Sequence, residues 1–126
     1  LLRPTSPLRP PGLIEKGIAL LECHSEATSV RSVASCEQHP YRMWKVEKDY
    51  MVGYETEAHE PYNIPRQQLP PVYFQTGDLE IVRRKTLLDG SVSGTRTLPL
   101  IIDLEDIVDI DQESDFHMAQ QRLAVN

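Results

Sequence analysis

Ten prolines punctuate this 126-residue chain, and their positions constrain its fold more than any other feature. Each fixes φ and removes a backbone donor, so helix interiors and central strands must fall between them. Pro4 and Pro7 exclude pairing or helix after Leu1-Leu2-Arg3, which reads as the tail of a strand. Pro10 and Pro11 suit the first turn of a helix. Pro40 stops a strand, and Pro65, Pro70 and Pro71 stiffen an extended segment. Pro99 confines the strand around it to a sheet edge.

The stretches between the prolines have their own periods. Ile14, Ile18 and Leu21 recur at spacings of four and three, which predicts a helix ending near His24 with these residues as its apolar stripe. Residues 27–35 are small and β-branched and alternate in character, as a strand does. A hairpin is expected from Arg42 to Tyr54, turning near Lys48-Asp49. Tyr41, Met43 and Trp44 are large apolar groups on this otherwise charged arm, a combination that marks an interface. Residues 55–64 are polar and lack a period. From Pro65 to Pro71 the chain should be extended, presenting Arg66, Gln67 and Gln68: a planar cationic fork suited to carboxylate, beside side chains that both donate and accept. Residues 72–82 read as two strand pieces with a kink or bulge at Gly77. A short helical turn over 83–88 closes at Asp89-Gly90, a Gly/Ser loop covers 91–97, and 98–102 forms the edge strand. Strands and helices alternate, so the class is α/β.

The stretch Ile107–Phe116 changes period in its middle. Ile107 and Val108, then Asp109, Ile110 and Asp111, alternate as the end of a strand. Phe116, Ala119 and Leu123 follow at helical spacing, so a helix is expected from Gln112 to about Ala124. On a strand, residues two apart share a side, so Asp109 and Asp111 can aim into one space. Two hard oxygen ligands suit Mg²⁺, which takes one or two carboxylates plus substrate phosphates. The same residues also suit an acidic helix start. A Ca²⁺ loop of the Asp-x-Asp-x-Glu kind is disfavoured, because Ser114 stands at its sixth position and Gln120 at its twelfth.

Composition narrows the function. A net charge of −6 and a pI of about 5.1 argue against a nucleic-acid partner, which needs a basic face to release counterions. No apolar run approaches the ~18 residues of a membrane span, and no signal segment opens the chain. Cys23 and Cys36 have no metal-like spacing and read as buried or idle thiols of a reducing, cytoplasmic compartment. The four histidines are scattered and do not form a zinc site.

Four segments in order carry a resemblance: Pro4-Thr5-Ser6-Pro7-Leu8-Arg9, His39-Pro40-Tyr41-Arg42, Pro65-Arg66-Gln67-Gln68-Leu69-Pro70, and Val108-Asp109-Ile110-Asp111 with Asp115-Phe116. Together they resemble the acylneuraminate cytidylyltransferases (CMP-sialic acid synthetases) and the wider group that includes the keto-deoxy-octulosonate cytidylyltransferases. Such enzymes join CTP to a 2-keto sugar acid with Mg²⁺ and release pyrophosphate. The resemblance implies an incomplete Rossmann-like nucleotidyltransferase fold, a mixed sheet with flanking helices, in one domain over 1–126. Residues 40–66 would be a protruding dimerisation arm. It places Arg3, Thr5, Ser6, Arg9, Arg42, Arg66, Gln67 and Gln68 at the sugar and Asp109 and Asp111 at the metal. Arg66 would pair with the sugar carboxylate, and Arg42 stands where the family usually has Lys.

The chain departs from the family at two places. Arg3 stands where Gln is usual, and Thr76-Gly77-Asp78-Leu79-Glu80-Ile81 stands where Asn-Gly-Ala-Ile-Tyr-Ile is usual. Asp78 and Glu80 put negative charge near a site for anions, which points away from sialic acid itself, to a different keto sugar or to none. The 126 residues correspond to a C-terminal portion, with the CTP-binding half and its phosphate loop expected to be absent. The chain alone is therefore expected not to turn over. The alternative is a non-catalytic homodimer that keeps the arm and a relic or binding-only sugar site.

Overall fold

The computed structural model describes residues 1–125, which divide into two compact units, 1–34 with 74–126 and 35–73. The first unit is built on a mixed three-stranded sheet of β1 (Ser29–Ser35), β2 (Tyr73–Val82) and β3 (Thr97–Ile101), in the order β2-β1-β3. β1 and β3 run parallel, with Ser29 opposite Thr97 and Val33 opposite Ile101. β3 lies at a sheet edge, as Pro99 requires, and Thr97, Pro99 and Ile101 are exposed while Leu98 and Leu100 turn inward.

Helix α1 (Leu13–Cys23) covers the sheet. It starts after Gly12, which adopts φ 73° at the N-cap, rather than at Pro10. Its buried stripe is Leu13, Gly17 and Leu21; Ile14 and Ile18 of the expected stripe are exposed. The correction has a steric cause. A Cβ on Gly17 would lie 2.7 Å from the Ile81 side chain and 2.9 Å from that of Leu79, so the helix meets the sheet on its one bare face. Leu13, Ala34, Leu79 and Ile102 form one core cluster and Leu21, Ala27 and Val30 another, with Ile81 and Leu100 packed against both.

β2 is continuous over ten residues, so the expected break at Gly77 is absent. Gly77 serves a close approach instead: a Cβ there would sit 2.6 Å from the Ser6 hydroxyl. The opening residues are not themselves a strand, but Leu1 lies beside this one, its N-terminus donating to Glu80 O (2.7 Å) and its carbonyl accepting from Glu80 N (3.1 Å). After β2, the short helix α2 (Arg84–Leu88) closes at Asp89-Gly90 as expected, with Gly90 at φ 84°. Arg83 just before it donates to the carbonyls of Leu21, His24 and Ala27, tying off the C-terminal end of α1.

Residues 107–111 are a further correction. They belong to no strand; a 3₁₀ turn (Leu104–Asp106) precedes them, Ile107 N–H donates to Leu104 O at 3.2 Å, and Ile110 N–H donates to the distant Thr5 O at 2.8 Å. Exposure still alternates, with Val108 buried and Asp109 and Asp111 exposed. Helix α3 (Glu113–Val125) follows, one residue later than expected.

The second unit carries the expected hairpin, β4 (Trp44–Glu47) and β5 (Tyr50–Gly53), antiparallel with Glu47 opposite Tyr50. Lys48 and Asp49 form its two-residue turn, and Lys48 takes φ 58° as such turns require. Two 3₁₀ turns replace stretches expected to be irregular or extended: Pro61–Asn63 and Arg66–Gln68. The second ends before Leu69, so Pro70 obstructs nothing: among the preceding residues a proline disfavours helical backbone chiefly at its immediate neighbour, and Leu69 is extended. A third, Pro40–Arg42, follows β1.

Candidate functional site

Two places gather the residues that the sequence singled out, one in each unit. In the second unit, Arg42 and Arg66 line a cavity of about 380 Å³ together with Cys36, Glu37, His39 and Tyr73. Each arginine stands on its own 3₁₀ turn, and His39 caps the first of these turns by accepting from Tyr41 N. Arg42 donates to Ile64 O at 3.1 Å, which fixes its guanidinium across the turn between the two motifs. Gln67 and Gln68 are exposed on the Arg66 turn and do not line the cavity. The cavity thus presents two cations and one carboxylate, a setting for an anion of modest size.

The other gathering surrounds the middle of β2. Arg3 pairs with Glu80 at 2.9 Å, and Arg31 approaches the second oxygen of the same carboxylate at 3.4 Å. Gln75 donates to Glu80 as well (3.1 Å). Arg9 donates to Asp78 O (2.7 Å) and Arg3 O (2.6 Å), so its guanidinium is spent on the chain's own carbonyls. Ser6 is buried and lies against Gly77, whereas Thr5 is exposed and its carbonyl holds Ile110. Of the four residues expected at the sugar from this loop, Arg3, Arg9 and Ser6 face protein.

Asp78 and Glu80 are both buried, so their charge is not displayed to solvent. Glu80 is answered by two arginines. Neither oxygen of Asp78 has a hydrogen-bond partner among the described residues, and neither does the Ser6 hydroxyl. Unpartnered buried polar groups are rare, since each costs its desolvation.

Asp109 and Asp111 are exposed. The helix start beside them is served by Asp115, whose carboxylate accepts from Asp111 N and Gln112 N, both at 3.1 Å. This is the back-bond of a capping box. The Asp111 N–H, and then that of Gln112, hold the Asp115 carboxyl below its ordinary value of 3.8. The cap therefore uses the Asp111 N–H but neither the Asp109 nor the Asp111 carboxylate. A twelve-residue Ca²⁺ loop does not fit, because α3 already begins at Glu113. Among the described residues no group of three or more His, Cys, Asp or Glu is placed to hold a metal by itself.

Cys23 is exposed rather than buried, and Cys36 is half-buried with its thiol donating to Gln38 O. Sequence reasoning gave no role to Cys36, His39 and Tyr73 at the cavity; only the quoted His39-Pro40 dipeptide hinted at one. Among the described residues no helix is long and apolar enough to cross a membrane. Compared with known proteins, the chain matches no protein-family model and no curated protein.

Proposed function

We propose that this chain belongs to a cytidylyltransferase that makes a CMP-sugar from CTP and a 2-keto sugar acid of the N-acylneuraminate kind. The observation that carries the reading is the cavity in which Arg42 and Arg66 meet, since the two come from separate motifs of the resemblance. Guanidinium groups bind carboxylate through paired, charge-assisted bonds, and a volume near the lower end of ligand pockets suits a small acid. Such a grip orients the attacking sugar hydroxyl and removes the entropic cost of placing it.

Asp109 and Asp111 would hold the Mg²⁺, which when bound neutralises and orients a phosphate. We expect no turnover from these 126 residues alone, because they contain no Gly-rich phosphate loop of the kind the resemblance implies. We take the sheet and its helix as part of a Rossmann-like fold and the hairpin as a homodimerisation arm. We place the protein in the cytoplasm, in keeping with two free thiols.

A calorimetric titration of the chain with N-acetylneuraminate and Mg²⁺, without CTP, tests the reading. Saturable binding that is lost in Arg66→Ala is expected. Absence of binding at millimolar sugar overturns it. The second reading, a non-catalytic homodimer, is favoured by the apolar hairpin: Val46, Tyr50 and Met51 are each more than 60% exposed.

A further inference from the structure

We infer that His39 is the positioning residue of the Arg42–Arg66 cavity, keeping it competent for an anion only as the neutral Nε2–H tautomer; this rests on the carboxylate reading of that cavity. The ring is 8% exposed, and both of its nitrogens are committed to main chain. Tyr41 N–H approaches Nδ1 at 3.1 Å, and a backbone N–H can only donate, so Nδ1 must carry a lone pair. Nε2 lies 3.0 Å from Pro70 O, which can only accept, so Nε2 must carry the proton. The ring edge also packs on Tyr41, with centroids 4.7 Å apart.

These two bonds join the cavity's two walls. His39 caps the turn that ends in Arg42, and Pro70 follows the turn that starts at Arg66. A second proton would set an Nδ1–H against the Tyr41 N–H, two donors facing each other, and that bond must break. Histidine changes charge between roughly pH 5 and 8. The charged and titratable groups that line the cavity with His39 are Arg42, Arg66, Glu37, Cys36 and Tyr73, and Tyr41 packs on the ring itself. Simple Coulomb attraction would have an extra positive charge beside two arginines tighten anion binding in acid. The tautomer lock has the opposite sign: acid loosens the grip.

Nitrogen-detected NMR of the full chain tests this, with N-acetylneuraminate as the probe. At about pH 7.5 His39 is expected as the Nε2–H tautomer. On acidification to about pH 5.5 the Tyr41 amide and the Arg42 and Arg66 side-chain signals should move with His39's own titration, and sugar affinity should fall severalfold. In His39→Gln, which cannot titrate, those signals should be independent of pH; the wild-type signals decide the matter if that variant does not fold. An Nδ1–H tautomer, static arginine signals through the His39 titration, or affinity rising in acid overturns the lock. Absence of sugar binding at every pH overturns the carboxylate reading alone, because the tautomer and the coupled signals still decide the lock.

Discussion

The two units spend their polar groups in opposite ways. In the sheet unit, Arg3, Arg9, Arg31 and Arg83 all reach back to carboxylates, amides, hydroxyls or carbonyls of the same unit, over a core of Leu13, Leu79, Val30 and their neighbours. The hairpin unit buries only His39 and Pro61, and its two cavity arginines remain exposed. A cation held by several partners far away in sequence adds rigidity, as Arg83 does with three carbonyls; Arg42 is tied by one bond, to Ile64 O. Arg42 and Arg66, from two separate turns, share the cavity of the hairpin unit, while the cavity of the sheet unit is lined by Arg9 and Arg122. Identical side chains therefore carry different information, and their motif membership does not decide which they carry.

That contrast makes separable predictions. Arg83→Ala removes three charge-assisted bonds at the end of α1 and should cost about 3 kcal/mol, read as a lowered urea midpoint; a midpoint within error of the parent would break the claim that cations hold the sheet unit together. Gly17→Val, which drives a branched side chain into Ile81 and Leu79, should cost somewhat less, about 2 kcal/mol, with the same readout. In the other unit, Trp44→Ala removes the ring contact with Tyr62 (4.4 Å) and should cost about 1 kcal/mol. Charge at Met43 and Trp44 should instead change assembly: a Met43→Glu, Trp44→Glu chain is expected to sediment as a monomer, and an unchanged mass would remove the hairpin from the interface.

The smallest effect belongs to Asp115. Its carboxyl is held below the ordinary value by the Asp111 and Gln112 amides, so its contribution to stability is present above about pH 3.8 and is lost as pH falls through the lowered value. Asp115→Ala should slightly lower the plateau above about pH 3.8 and leave stability below the lowered value unchanged, so that the acid limb flattens, which pH-dependent thermal unfolding would detect.

Local chemistry explains which parts were legible. The hairpin and its turn at Lys48-Asp49 follow from neighbouring residues alone, and so do β1, the edge placement of β3 and the 84–88 helix. The errors share a distant cause. The buried face of α1 is decided by Ile81 and Leu79 pressing on Gly17, and the role of Gly77 by Ser6. Glu80, the ion-pair partner of Arg3, lies 77 positions away, and residues 107–111 have the alternation of a strand with no strand available to pair them. At the site, the Arg42 and Arg66 motifs were visible, but the fold alone could bring them to one cavity. His39 escaped notice because a histidine bonded only to main chain leaves no spacing pattern.

The hairpin unit also closes on itself where it begins and ends. Cys36 N–H donates to Val72 O at 2.9 Å, so the chain leaves the sheet and returns to it through adjacent positions. A segment with that property behaves as a cassette. Its length can drift with little penalty, because lengthening a closed loop costs only logarithmically. Residues 37–71 could thus be exchanged for a short turn without disturbing the ladder on either side, which would let specificity evolve at one address while the scaffold stays unchanged.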